Sequence, residues 1–419
     1  MKNAIVGWIM AGMVLGVASA QIPQAYEIPP VFSALKVLPP DQLQGPHFRV
    51  RDSVPSDGYM MHFTIDSDYG VFNCVGRQHV SQQIVEIEAI AKLLKVSRSD
   101  LFAEGLKRSV EAPIDAVKNI VAEPGESVKK LPKTVGHFFS KVGSSIGNTA
   151  RKVGKKFDES DGEVTGEDWA TAGRGVGNAA KSIAGFDKAK LDTARQLGVD
   201  PYSDNKLLQE EMDKVTWAFF AGGLPLRIGA TVVSGGASVA LTATKTLGLP
   251  EDIYDVTPGE LALRDRVMMQ AMEVPEPVID QVFMNPALTI SLRHGILTTL
   301  SKMPPGPGRV EIVQSAAGLE QYRQVVFFHT ALNQLAARHA TTPYVAVKLF
   351  GRLPAGLAAD DYLEIAAPVD YVSWTQQVAD FARRDDLTGA RKRLLTTGQM
   401  SKAAATGFAE TNWQVVSMK

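Results

Sequence analysis

Cys74 is the only cysteine in 419 residues, so no intrachain disulfide can form and the fold must rest on its own core. Aromatic residues make up only 7%, and neither sign of charge prevails: 44 Lys and Arg stand against 45 Asp and Glu, a net charge of −1. No two of the seven histidines are spaced H-x-x-x-H, so the helical zinc signature is missing. This balance excludes collagen-like, coiled-coil and wholly disordered chains. What is present, 45% hydrophobic and 21% charged residues, describes a folded protein long enough for two or three domains.

The first twenty residues have the three parts of a secretory signal. Lys2 supplies the positive end, Ala4 to Val17 the apolar run, and Ala18-Ser19-Ala20 a small-residue cleavage site before Gln21. The run of about 14 residues is short for a bilayer span of roughly 20. Cleavage after Ala20 is expected, giving an exported bacterial protein, periplasmic or extracellular. The flanks of Cys74, Val71-Phe72-Asn73 and Val75, predict a buried strand thiol.

The periodicities predict an α+β multi-domain fold: a small antiparallel β-meander with helices, a mostly helical middle, and a C-terminal α/β domain with a mixed or partly parallel sheet. A Pro-rich extended arm occupies residues 21–46. Residues 47–158 hold the meander, with strands near 47–51, 59–65 and 71–75, followed by amphipathic helices. The spacing of Val80, Ile84, Ile87, Ala91 and Leu94 marks the first of them. Residues 159–303 form the helical region, with helices expected over 207–220, 259–272, 275–283 and 287–303. Pro304-Pro305-Gly306-Pro307-Gly308 reads as a stiff linker. In 309–419 strands are expected at 310–313, 345–350, 362–372, 393–396 and 413–417, with helices at 319–340, 376–383 and 402–409.

The most unusual segment is Val128 to Phe157. Ten apolar residues fall on an arc of about 120° at helical spacing. Lys129, Lys130, Lys133, Lys141, Arg151, Lys152 and Lys155 lie opposite, with Lys156 at the border and no acid between. The stretch carries +8, and the rest of the mature chain −10 once Lys2 leaves with the signal. Gly136, Gly143, Gly147 and Gly154 cost an isolated helix about 3 to 4 kcal/mol relative to alanine. Two arrangements follow: a helix docked on the protein body, or contact with an anionic membrane surface or an envelope protein. Nucleic acid is not expected, since the expected export argues against it and no aromatic residue lies on the lysine arc. The uncharged residues 228–244 are too short and polar for a membrane span and read as closely packed helix.

Catalytic motifs lack their structural context. Gly143-Ser144-Ser145-Ile146-Gly147 matches G-x-S-x-G without a preceding strand, and Gly175-Val176-Gly177 opens a dinucleotide-like spacing, again without a strand. Asp66, Asp68 and Gly70 resemble the start of a calcium loop but lack its closing acid, which favours a hairpin turn. His329, in Phe327-Phe328-His329, and Asp361 are the titratable candidates for a catalytic role. Thr397, Gly398 and Ser401 form a candidate ligand loop between a strand and a helix that Ser401 caps, leaving amides for an anion. No metal and no cofactor is expected. A non-enzymatic binding or interaction protein is the leading reading, and a secreted hydrolase with a C-terminal pocket is the alternative.

Overall fold

The computed structural model describes residues 26–111, 178–228, 242–384, 386 and 391–418. The signal, the basic stretch with Lys129, Lys130, Lys133, Lys141, Arg151, Lys152 and Lys155, the G-x-S-x-G match, Gly175 to Gly177 and residues 229–241 lie outside them.

Val31–Ser33 (β1) leads into the short helix Ala34–Val37 (α1) and then a four-stranded antiparallel sheet. Its strands are Gln44–Gly45 (β2), Phe48–Val50 (β3), His62–Ser67 (β5) and Gly70–Val75 (β6), ordered β2-β3-β5-β6. Ser53–Pro55 (β4), within a stretch whose proline reads as a turn, instead pairs antiparallel with β1. Period-two alternation sends Phe63 and Ile65 inward with Phe48, Val50 and Cys74. The Asp66 to Gly70 segment is a hairpin turn. Gly70 takes φ 128°, Asp66 accepts from Arg51 at 2.7 Å, and Asp68 lies 2.9 Å from His47 Nδ1.

Arg77–Ser97 (α2) follows β6 directly and serves two cores. Val80, Ile84 and Ile87 cover the sheet, while Ala89, Ile90 and Leu93 enter the larger helical core. Each fully buried side chain of this kind contributes roughly 1.5–3 kcal/mol. Ser99 caps Asp100–Glu111 (α3) through the amide of Phe102.

The helical core continues with Asn178–Leu197 (α4), Lys206–Ala221 (α5), Ala243–Leu247 (α6), Pro258–Ala271 (α7), Glu276–Met284 (α8) and Ile290–Ser301 (α9). Their starts are chemically marked. Asn205 caps α5, Thr257 and Glu260 form a capping box on α7, and Thr289 caps α9.

Val310 to Val313, expected as a strand, belongs to the helix Pro307–Ala317 (α10). Four residues of alternating apolarity do not distinguish the two periods. The proline-rich segment before it does not run free, because a Cβ on Gly308 would lie 1.9 Å from the Val347 carbonyl oxygen. Tyr322–Thr341 (α11) then precedes the C-terminal sheet of Tyr344–Phe350 (β7), Leu353–Ala358 (β8), Tyr362–Ala367 (β9), Arg391–Thr396 (β11) and Trp413–Ser417 (β13). The order is β13-β11-β9-β8-β7. β9, β11 and β13 run parallel, and β7, β8 and β9 antiparallel. Strand β8 was not expected, because Pro354 and Gly356 interrupt its pattern.

Tyr371–Val372 (β10), Gln376–Ala382 (α12), Gln399–Met400 (β12) and Lys402–Glu410 (α13) make the parallel connections. Leu394 faces the core of Trp374, Phe408 and Trp413, whereas Leu395 faces the helical core. Burial on both faces explains the unbroken apolar runs. The fold is therefore α+β, with small antiparallel sheets at the N-terminal end and a mixed sheet with helices at the C-terminal end.

Candidate functional site

A cavity of about 460 Å³ opens where the arm, the β6-to-α2 junction, α11 and the loop after β9 meet. Gly76 makes the junction possible. It holds φ 87°, and a Cβ there would lie 2.6 Å from the Met60 methyl and 3.6 Å from an Asp370 carboxylate oxygen. Asp370, only 7% exposed, uses that access to bind the start of α2. Its Oδ1 accepts from Arg77 N and Nε, each at 3.2 Å, and its Oδ2 accepts from Met61 N at 3.0 Å. A carboxylate at a helix N-terminus is favoured by the unpaired amides and the helix dipole.

The other polar groups of the wall divide into those with internal partners and those without. Ser81 donates to Arg77 O, Thr330 to Val326 O, and Gln78 Nε2 to Thr246 O. His79 Nδ1 accepts from Val75 N at 3.1 Å, so the proton of the neutral ring sits on Nε2. Burial, joined by the nearby Arg323 charge, pushes this histidine down to about 4 and keeps it neutral at physiological pH. Arg323 Nη2 donates to Asn73 O at 2.7 Å and has no carboxylate in ion-pair contact among the described residues. Gln334 Oε1 is buried in the wall with no hydrogen-bond partner among the described residues. Leu38, Met60, Val326 and Phe327 supply the apolar surface.

Behind the cavity, Gln82 Nε2 contacts the Tyr322 hydroxyl at 3.2 Å and donates to Glu86 Oε1 at 2.9 Å. Glu86 also accepts from Ser203 at 2.7 Å and from Asn205 at 2.8 Å. Burial nevertheless outweighs these three donors and pushes its carboxyl up to about 7.

Of the residues singled out from sequence, Thr397 lines this cavity. Gly398 packs beside it, where a Cβ would lie 2.4 Å from Val369 O. Ser401 caps α13 through Ala404 N, but its hydroxyl donates at 2.6 Å to Glu27 of the arm, which also accepts from Trp374 N at 2.5 Å. The capping hydroxyl of this helix is thus engaged by the protein's own Glu27 carboxylate.

His329 is 1% exposed in α11, with Nε2 3.3 Å from Asn333 Nδ2, and burial pushes it down to about 4. A Cβ on Gly295 would meet its Nε2 at 2.6 Å, so the ring is packed against α9. Asp361 lies exposed in the β8-to-β9 turn at φ 63°. Neither residue lines the cavity. Cys74 is buried in β6, and its thiol is pushed up to about 12 by burial, as an inert strand thiol should be.

Arg77, His79, Arg323 and Asp370 carried no motif. For Arg77 and His79 the signal in the sequence is positional: a strand ending in Val75-Gly76 and passing straight into a helix, where amides and side chains converge.

A second polar constellation lies in the helical core. Asp265, fully buried, accepts from Arg293 Nε at 2.7 Å and contacts His294 Nδ1 at 2.6 Å. His294 Nε2 lies 3.4 Å from Asp252 and 3.4 Å from the Thr298 hydroxyl. Burial opposes the charge on His294, but the two carboxylates prevail and raise its pKa. Held between these carboxylates, His294 ties α9 to α7 and to the 251–254 turn, and with both ring nitrogens engaged it offers no free base for activating a hydroxyl.

Among the described residues no group of three or more His, Cys, Asp and Glu is placed to hold a metal, and no helix is long and apolar enough to cross a membrane. Comparison with protein-family models, with curated proteins and with solved structures finds no match.

Proposed function

We propose that the chain is an exported, non-enzymatic binding protein that holds a small molecule in the cavity between the arm, α2 and α11. The observation that carries this reading is the state of the wall. The Ser81 and Thr330 hydroxyls and the His79 acceptor are engaged with the backbone, while Arg323 and Gln334 Oε1 keep unused hydrogen-bonding capacity. An orphan acceptor in a cavity wall is ordinarily satisfied by a water or a ligand. A hydrolase needs a nucleophile within reach of a free base, and Ser81, Thr330 and His79 do not supply that pair. The volume of about 460 Å³ falls in the range, roughly 300–1,000 Å³, that small-molecule sites occupy.

The test is thermal denaturation of the mature protein against a panel of organic acids, alcohols and amines, with mass spectrometry of each compound afterwards. Saturable stabilisation by one class, with the compound recovered unchanged, is expected. Chemical conversion of the compound would overturn the non-enzymatic reading, and no saturable shift with any compound would overturn the cavity as a binding site.

Export, with the signal removed after Ala20, belongs to the same proposal. An intact mass of the protein from the periplasm or medium that begins at Gln21 is expected, and a retained leader would refute it. The basic stretch is assigned to an anionic membrane surface or an envelope protein. Co-sedimentation with anionic but not neutral liposomes, lost as salt rises, is its readout.

A further inference from the structure

The cavity is asymmetric in both charge and hydrogen-bonding direction. Two guanidinium groups, Arg77 and Arg323, face one carboxylate, Asp370, and that carboxylate is already engaged by two amides and Arg77 Nε. Arg77 is therefore largely neutralised within the wall. Arg323 is not: it extends from the first turn of α11, and among the described residues its hydrogen-bond partner is a single backbone carbonyl. Near it stands His79, whose remaining proton is on Nε2 because Nδ1 is already an acceptor. Around Arg323 and His79 the cavity thus offers donors and positive charge, while farther along α11 Gln334 Oε1 is an acceptor without a partner among the described residues. The rest of the lining includes hydrocarbon from Leu38 of the arm, Met60 and, on the same helix as Arg323, Val326 and Phe327.

The Arg323 end does not suit a cation. Inorganic phosphate would leave the hydrocarbon wall uncovered, and a neutral hydrocarbon would leave Arg323, whose nearby Asp204 makes no direct ion pair with it, without a partner for its fork. A guanidinium fork matches a carboxylate or a phosphate, and each such charge-assisted contact is stronger than a neutral one.

We infer that the ligand is an organic anion with a hydrocarbon body, its carboxylate or phosphate held by Arg323 and His79 and its body laid along Leu38, Met60, Val326 and Phe327. The inference rests on the binding reading above and names its ligand class. Leu38 belongs to the arm, which Glu27 fastens to Trp374 and Ser401, so the arm forms a wall of the site rather than a loose tail.

The experiment is calorimetric titration of the full mature chain with octanoate, octyl phosphate, octanol, octylamine and inorganic phosphate. Octanoate or octyl phosphate is expected to bind at least tenfold tighter than octanol, whichever is tighter identifying the head group, and octylamine and inorganic phosphate are expected not to bind measurably. Arg323→Met should abolish the preference for the anion while leaving octanol affinity unchanged, and Arg323→Lys should retain the preference. Arg323 is exposed, so neither change threatens the fold. Thr397→Trp, at the exposed rim, should weaken every apolar probe.

Equal binding of octanoate and octanol, or an anion preference that survives Arg323→Met, would overturn the ligand class while leaving the cavity a binding site. Absence of binding by all five compounds, or binding unaffected by Thr397→Trp, would overturn the cavity reading itself.

Discussion

Replacing Glu86 with glutamine should change how stability depends on pH, by an amount the surroundings of this carboxyl set. Glu86 is 3% exposed, and burial raises its carboxyl from the ordinary 4.5 to about 7 despite donors from Ser203, Asn205 and Gln82. Between pH 7 and 4.5 the folded state therefore holds a proton that the unfolded state has released. Stability then rises as pH falls, beginning near 7 and complete below 4.5. At about 1.4 kcal/mol per unit, the gain is on the order of 3 kcal/mol.

Glutamine cannot titrate, and its amide would turn a donor toward Ser203 or Asn205. The variant should lack this gain. Urea unfolding of both proteins from pH 8.5 to 4.5 isolates the effect, because His79 and His329, pushed down to about 4, change both curves equally. The stability of the wild-type protein relative to Glu86→Gln should increase by about 3 kcal/mol across that range. A difference that stays constant with pH would refute the reasoning.

Further changes probe other parts of the fold. His294→Gln removes the cation between Asp265 and Asp252 and should cost roughly 3 kcal/mol at pH 6. Because the folded pKa of His294 is raised, its contribution is full below the ordinary value and is lost as pH rises through the folded one, so the same variant measured by thermal denaturation should differ less from wild type at pH 9. Gly308→Ala places a methyl against the Val347 carbonyl and should destabilise by about 1–3 kcal/mol in urea, whereas Gly318→Ala, where the nearest atom would lie 3.6 Å away, should not meet such a clash. Glu27→Ala removes the acceptor shared by Trp374 N and Ser401. It should cost about 1–3 kcal/mol and speed proteolytic cleavage of residues 26–33, without altering the rate in the C-terminal sheet.

Periodicity carried most of the fold. The Val80 to Leu94 spacing is α2, and Trp413 to Ser417 is β13 residue for residue, because burial on one helix face or on both sheet faces leaves a direct imprint on residue order. It failed where local pattern and tertiary packing disagreed. Val310 to Val313 is helical because α10 crosses β7 at Gly308, and β8 was missed because Pro354 and Gly356 lie in a strand whose pairing supplies the stability. The site was legible only at Thr397. Arg77 and His79 come from the start of one helix, Arg323 from another and Asp370 from a loop 293 residues beyond Arg77. No spacing rule encodes a convergence over that separation. His329 and Ser401 could be seen as polar residues at promising positions, but burial against Gly295 and the Glu27 carboxylate that engages Ser401 come from other parts of the chain.

Carbon-13 methyl labelling of methionine offers the most direct reading of the cavity. The Met60 methyl lies on its wall beside Gly76, whereas Met284 is 69% exposed on α8 and does not line it. Titration of the labelled mature protein with octanoate should move the Met60 resonance, assigned through Met60→Leu, along a saturable curve while Met284 stays fixed. A Met60 signal that remains in place at saturating octanoate, or that moves only in step with Met284, would contradict a ligand seated between the arm, α2 and α11.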